Sequence, residues 1–257
     1  MRFSKLKLPS SLFLSTLLLG GCASNGERFD PLEPVNRGIY QFNDAVDKAI
    51  LKPVATGYNE VVPTPVRTGV GNFFSNLDDV IVIANDLLQF KLAQAASDTT
   101  RLIFNTTFGV LGIFDVATDW ELAKHDEDFG QTLGYWGIDN GAYLVLPFLG
   151  PSTLRDTVGL VGDFQVDPVS NMGDVPDRNS ARAVNMVDTR ARLLKVEKVV
   201  DEAALDKYVF IRDAYLQKRR SLVYDGNPPR EKLEEDYDEP VKTEKAAPAK
   251  EVSPQQP

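Results

Sequence analysis

The chain has 257 residues, 43% of them hydrophobic and 25% charged, which is the composition of a globular protein and not of a wholly disordered one. Its 28 Lys and Arg stand against 37 Asp and Glu, a formal net charge of −9, so nucleic acid is excluded as the main partner because a phosphate backbone calls for a basic face. One cysteine excludes an intramolecular disulfide framework, and together with a single histidine it excludes the usual Cys/His zinc sites.

Residues 1–21 read as a lipoprotein signal peptide. Arg2, Lys5 and Lys7 form a positive start, Leu12 to Leu19 a short apolar segment, and Leu19-Gly20-Gly21-Cys22 resembles a bacterial lipobox. Small residues let a peptidase reach the bond before Cys22, whose thiol then takes a diacylglycerol; the freed amine is usually acylated too, and two or more chains anchor stably where one does not. The alternative is an ordinary cleaved signal with an incidental cysteine. Ala23, where an Asp would retain the protein at the inner membrane, favours the outer membrane. Residues 22–29 read as an acylated linker.

Asp30-Pro31-Leu32-Glu33 opens the folded part: Asp30 is a candidate helix cap, Pro31 fits the first helical position and Glu33 completes a capping box. Val35, Ile39, Phe42, Val46 and Ile50 then recur at helical spacing, with Asn36, Arg37, Gln41, Asp44, Asp47 and Lys48 on the other face. Pro53, Pro63 and Pro65 are expected to limit the next stretch to short pieces. Residues 66–92 read as helical with a break near Ser75-Asn76. Their second half loses its polar face: Val80 to Ala84 lead to Leu87, Leu88, Phe90 and Leu92, interrupted only by Asn85 and Asp86. The Val/Ile run also fits a strand, and its continuation into Ala, Leu and Gln favours helix. Residues 93–108 form another helix, and Leu102 to Phe114 carry no charge. That run is too short to span a bilayer and reads as a buried core helix or an interfacial piece, and no other stretch reaches the ~18–20 apolar residues a span needs.

Gly134, Gly137, Gly141 and Gly150, interspersed with Tyr135, Trp136, Tyr143 and Phe148, suggest a small hairpin, with Tyr143 to Leu146 as a strand. Thr153 and Asp156 mark a capped helix start, 165–180 are loop-like, and 181–201 and 206–224 are helical. From residue 227 the chain is Pro, Ala, Glu and Lys with few bulky apolar residues and reads as a disordered acidic tail, 227–257.

Catalytic chemistry is hard to find. His125 lies in His125-Asp126-Glu127-Asp128, a candidate general base or metal ligand, or else a solvated acidic turn. There is no Gly-x-Ser-x-Gly elbow; Asp128-Phe129-Gly130 lacks the other kinase motifs, and no phosphate or calcium loop is present. No cofactor or metal is expected. What stands out is a lipid anchor joined to a helical domain with more apolar surface than a one-sided helix needs, which points to a packed core or to a domain lying in a membrane leaflet.

Several blocks resemble the VacJ/MlaA lipoprotein family. They are Asp30 to Arg37 with Phe42-Asn43, Asn72-Phe73 with Asn76-Leu77, Phe104-Asn105-Thr106 leading to Gly112 to Ala117, and Asp128 to Gly134. Leu146-Pro147-Phe148, Thr153 to Asp156, Asp206-Lys207-Tyr208 and Arg212 to Tyr215 complete the set, in order, over most of 30–220. Residues 160–205 match poorly, and Ala142 stands where the family has a Pro. The resemblance implies an all-α, ring-like domain over 30–226, sunk in the inner leaflet of the outer membrane and holding a central amphipathic channel. It implies a non-enzymatic role: mislocalised phospholipids leave the outer leaflet through the channel and pass to a soluble periplasmic carrier, beside a trimeric porin.

On that picture Asn36, Arg37, Asn43, Asp44 and Arg155 are candidates to line the channel, Arg155 either attracting a lipid phosphate or pairing with a carboxylate. Gly134, Gly137, Gly141, Tyr143 and Pro147 are candidates for a gate, because glycines permit backbone changes other residues resist. Ile81, Ile83, Leu87, Leu88, Phe104, Phe108, Leu111 and Phe114 are candidates for a membrane belt. The rival classes are a phospholipase using His125 with Asp128, and a porin-associated scaffold.

Overall fold

The computed structural model describes residues 30–229; the signal peptide, Cys22 and the linker lie outside them, as does most of the acidic tail. Helix α1 spans Glu33–Val46. It runs without a break through a π-helical turn, Asp47–Leu51, into α2, Lys52–Val61, so Pro53 does not divide the chain as expected. A proline in a helix withholds one N–H and crowds the carbonyl four residues back. The wider i→i+5 turn just before Pro53 makes room for that ring and lets the helix continue.

Helix α3 spans Thr64–Leu88, with Pro63 at its N-cap and Pro65 in its first turn. The expected break at Ser75-Asn76 is absent, because Asn76 is buried and donates its amide to Thr106 Oγ1 at 3.0 Å on the next helix. That helix, α4, spans Leu92–Thr107; the short α5 (Val116–Asp119) and α6 (Phe129–Tyr135) follow. Strands β1, Tyr143–Leu146, and β2, Gly150–Thr153, pair antiparallel, Leu144 opposite Ser152. Helix α7 spans Leu154–Val166, α8 Val175–Ala203 and α9 Lys207–Val223. Thr153 caps α7 through the Asp156 N–H at 3.1 Å, and Asp206 caps α9, both as expected from sequence.

The elements make a closed circuit of contacts. The α1–α2 rod lies on α8, α8 crosses the first half of α3, and the second half of α3 packs on α4, α6 and α7. Helix α7 leads back to β2, β2 pairs with β1, and β1 docks on α1. This is the ring-like helical domain with one small hairpin. Its apolar core is small and local: Tyr143, Val145 and Tyr208, with Ile39, Tyr40, Val209, Tyr215 and Leu216 around them, where the hairpin, α1 and α9 meet.

Candidate functional site

Most of the interior is polar. On α3 the buried face carries Asn76, Asp79, Asn85 and Asp86, continued by Gln89, with Val82 among them. On α4 it carries Asp98, Arg101 and Asn105 beside Ala95. These positions recur every three or four residues, so each helix turns a polar stripe inward. The groups are joined across the fold: Asp79 to Lys124, Asp98 to His125 Nδ1 at 2.9 Å, Arg101 to Asp115 at 3.1 Å, and Gln89 to Glu127 at 2.8 Å. Thr132 donates to Asn85 at 2.8 Å, and Asn85 donates to Asp163 at 3.2 Å. Asp86 is fully buried and neither of its oxygens has a hydrogen-bond partner; burial beside Asp98 pushes it up to about 7.

The outer faces are correspondingly apolar. Leu87, Leu88, Phe108, Leu111 and Phe114 are exposed, while Ile81, Ile83 and Phe104 are half-buried, so none of the eight belt candidates is a core residue. Phe90, Leu92, Ile103, Val110 and Trp120 extend the same surface. Three exposed turns hold apolar side chains at positive φ, which such residues rarely adopt: Phe90 at 59°, Val110 and Leu111 at 53° and 58°, and Phe148 at 63°. No helix among the described residues is long and apolar enough to cross a membrane.

Two cavities meet inside the circuit, one of about 220 Å³ under the hairpin and one of about 480 Å³ toward α3 and the end of α9. Asp128, Leu160, Asp163, Tyr215 and Arg219 line both. The hairpin side adds Leu146, Leu149 and Pro151 together with Ser152 and Asp156, and the far side adds Asp78, Asp126, Asp167 and Lys218 together with Ile81, Phe164 and Leu222. Arg219 fixes the junction, reaching Asp128 and Asp156 at 2.9 Å each, while Tyr215 donates to Asp156 at 2.9 Å. Burial alone would raise the pKa of Asp128 and Asp156, but the Arg219 guanidinium outweighs it and holds both below the usual carboxylate range. Asp163 has no cation: burial pushes it up to about 6, against the opposing Phe129 N–H bond of 2.9 Å. The walls meet closely because α6 and α7 cross at Gly130 and Gly159; a Cβ on Gly159 would lie 2.4 Å from the Gly130 nitrogen.

The residues singled out from sequence are placed differently from one another. Asn36 does not face a cavity. It is 1% exposed, and its amide donates to the Tyr143 carbonyl and accepts the Val145 N–H, both at 2.9 Å. Asn43 repeats the arrangement on Leu146 O and Phe148 N, at 2.9 and 2.8 Å. Seven helical residues cover ~10.5 Å and three strand residues ~10 Å, so the two amides fall in register with the edge of β1. Both are therefore docking residues for the hairpin and not lining. Asp30 is a partner in this, not a simple helix cap: its carboxylate takes the Asn36 amide at 3.2 Å and the Tyr208 hydroxyl as well as the Leu32 N–H. Glu33 closes no capping box and pairs with Arg37 at 2.7 Å. Arg37 bridges on to Asp206 at 2.8 Å and lies 4.4 Å over the Tyr208 ring, while Asp44 pairs with Lys48. Arg155 lies beside the passage but is spent on Asp156 at 2.9 Å, the pairing alternative.

The expected hairpin over 134–148 is shifted. Gly134 belongs to α6 against Arg155 and Val223, Tyr143 is core, and Pro147 sits in the exposed turn. Gly137 and Gly141, at φ 88° and 65°, bracket the segment that leads into β1. His125 is tied to the buried Asp98, not in a solvated turn. Among the described residues no group of His, Cys, Asp and Glu is arranged to hold a metal ion. Sequence reading missed Asp156, Asp163, Tyr215 and Arg219 as cavity residues; Asn85 and Asp86 were visible only as interruptions of an apolar run. The available signal was the three- and four-residue spacing of amides and carboxylates through α3 and α4.

Comparison with known proteins gives this arrangement a lineage. The Escherichia coli K12 intermembrane phospholipid transport system lipoprotein MlaA is 37% identical over 230 residues, 86% of this chain and 90% of that protein. The Haemophilus influenzae lipoprotein of the same name is 34% identical over 86% of this chain and 92% of its own length. A solved structure from work on the structural basis for maintenance of bacterial outer membrane lipid asymmetry superposes with a TM-score of 0.68 at 33% identity, covering 78% of this chain and all of that one. The family model described as MlaA lipoprotein matches residues 28–222, and with the helical circuit and these relatives it establishes that the chain belongs to the MlaA lipoprotein family.

Proposed function

We propose that this protein is held at the outer membrane by an acylated Cys22, lies in the inner leaflet, and removes mislocalised phospholipids from the outer leaflet through the passage inside its helical circuit. The lipids pass to a soluble periplasmic carrier, and the ring sits beside a trimeric porin. The observation that carries this reading is the inverted distribution of polarity: buried amides and carboxylates inside α3 and α4, exposed Leu and Phe outside. Water penalises an extensive apolar exterior, and a leaflet does not. The lipobox supports the Cys22 anchor, the intermembrane transport role named for the relatives supports the hand-off to a carrier, and the porin is taken from the family resemblance alone.

The passage is narrow at the hairpin, about 220 Å³, against the ~300–1,000 Å³ of an ordinary ligand pocket, so a two-chain lipid requires that side to open. The β1–β2 turn is the gate, with Gly137 and Gly141 as hinges and Leu149 and Pro151 as the moving wall. The test is surface-exposed phospholipid in cells lacking the protein, complemented with wild type, Cys22→Ala or His125→Ala. Accumulation without the protein, reversed by His125→Ala but not by Cys22→Ala, supports a non-enzymatic channel. An asymmetric leaflet in its absence brings the scaffold reading forward, and loss of function in a His125→Ala protein with unchanged melting temperature an enzyme, since His125 also pairs with the buried Asp98. For the gate, cysteines at 42 and 148, whose rings pack 5.3 Å apart, joined by a short thiol crosslinker, should stop lipid flow reversibly. Normal flow in the crosslinked form would reject it.

A further inference from the structure

A separate cavity of about 500 Å³ lies on the opposite side of the circuit, between α2, the first turns of α3, and α8. Its walls concentrate positive charge in a chain whose net charge is −9: Arg67 from α3, and Arg192 and Lys195 from α8. One carboxylate joins them, Asp188, which is buried, takes the Tyr58 hydroxyl at 3.1 Å and lies 3.2 Å from Arg192. Three cations against one anion leave two positive charges facing a single hollow. The local groups do not neutralise them. Arg67 Nη1 donates to Asn59 and Nη2 to Thr64 at 2.9 Å, both uncharged groups, and its Nε is buried with no hydrogen-bond partner. The α3 N-terminus opens here as well: no side chain caps it, and Thr64 and Thr68 from its first turns line the wall. The Val66 and Arg67 N–H groups are taken by the Pro63 carbonyl and Pro65 has none, so the N-terminus adds only the positive end of a 25-residue helix dipole.

We infer that this cavity binds the phosphate of a phosphate-ester headgroup, with Arg67, Arg192 and Lys195 as the cationic cradle and Thr64 and Thr68 as hydroxyl donors. Guanidinium groups match the paired oxygens of a phosphate, and an ammonium adds a mobile point charge. Asp188 holds Arg192 in place across Gly71, where a Cβ would come within 3.2 Å of the guanidinium. A bare oxyanion would leave most of such a volume empty, and a headgroup with its glycerol would occupy it. The site is distinct from the passage lined by Asp163 and Arg219, and its existence does not depend on transport through that passage.

The test uses the full-length acylated protein in neutral detergent. The probes are inorganic phosphate, phosphatidylglycerol in mixed micelles, and diacylglycerol in the same micelles as a phosphate-free control. Binding is read by phosphorus NMR line broadening and by native mass spectrometry. Phosphatidylglycerol should bind, diacylglycerol should not displace it, and Lys195→Gln combined with Arg192→Gln should weaken binding about tenfold or more, the loss expected when charge-assisted hydrogen bonds are removed. Neither side chain supports a buried contact besides Asp188, so Lys195→Gln alone, with an unchanged melting temperature, is the second variant, and Lys195→Arg should restore binding. Equal binding in wild type and double variant would overturn the site. Inorganic phosphate competing at the concentration of the lipid would overturn its assignment to a lipid headgroup.

Discussion

Replacing Asn36 with Ala tests whether side-chain amides hold the hairpin to α1. Asn36 is 1% exposed, so the change opens a space that bulk water does not reach freely. It orphans the Tyr143 carbonyl and the Val145 N–H, whose partners now lie at 2.9 Å. Each buried backbone group left unpaired costs about 1–3 kcal/mol. Asp30 loses the Asn36 amide but keeps the Tyr208 hydroxyl and the Leu32 N–H, so its share is small. The expected loss is about 3–4 kcal/mol in urea unfolding of the detergent-solubilised protein. Asn43→Ala, at a half-buried site with the same two-bond pattern, should cost about 1–2 kcal/mol. Asn36→Asp keeps the acceptor for Val145 but puts a second carboxylate about 3.2 Å from Asp30, so it should be worse at pH 7 than at pH 4. Hydrogen exchange gives the local reading: the Val145 amide should lose protection in Asn36→Ala, and the Phe148 amide in Asn43→Ala. An Asn36→Ala protein within about 0.5 kcal/mol of wild type, with Val145 still protected, would refute the reasoning.

Asp86 supplies a pH signature: with its folded pKa raised to about 7, the native state holds the proton more tightly than the unfolded chain. The stability it confers is complete below about pH 4 and is lost as pH rises through about 7, at most about 4 kcal/mol at 1.4 kcal/mol per unit. Asp86→Asn should flatten the profile between pH 5 and 8 and gain stability at pH 8, and an unchanged slope would count against it. Arg219→Met removes the cation from Asp128 and leaves Asp156 with Arg155 alone, and should cost about 2–3 kcal/mol at pH 7. That loss should shrink as pH falls far enough to protonate the two acids; the same loss at pH 3 would contradict the pairing. Gly159→Ala drives a methyl into the Gly130 backbone and should lower the melting temperature, at a cost of about 1–3 kcal/mol or more, while Gly57→Ala, in α2 with open space around it, should not. Equal melting temperatures for the two would show that the α6–α7 crossing is not close-packed.

Helix positions in this fold were legible where one local signal dominated. Thr153 and Asp206 cap the helices they were expected to cap, and Tyr143 to Leu146 form the expected strand. Pro53 misled because its remedy, the π turn, lies in backbone hydrogen bonding that no residue type announces. Ser75-Asn76 misled because Asn is a poor helix former in isolation, and here its amide is used by Thr106 on another helix. For the site the difficulty was one of sign. Asn36 and Asn43 lie on the polar face of an amphipathic helix, which in an ordinary globular protein faces water, and here that face is pressed against β1. Arg219 lies near the end of α9, where a cation suits the helix dipole by itself; only the return of α6 and α7 to that point makes it the partner of Asp128 and Asp156.

The hydrogen-bonded interior of α3 and α4 has a thermodynamic consequence. The heat capacity of unfolding grows with newly hydrated apolar area and falls with newly hydrated polar area. In this chain Leu87, Phe108, Leu111 and Phe114 already face outward, and unfolding uncovers Asn85, Asp98 and Gln89 instead. Its heat-capacity increment should therefore fall below the ~12–15 cal/mol/K per residue of ordinary domains. A small increment makes a shallow stability curve, so the protein should tolerate cold that weakens proteins held together by hydrophobic cores.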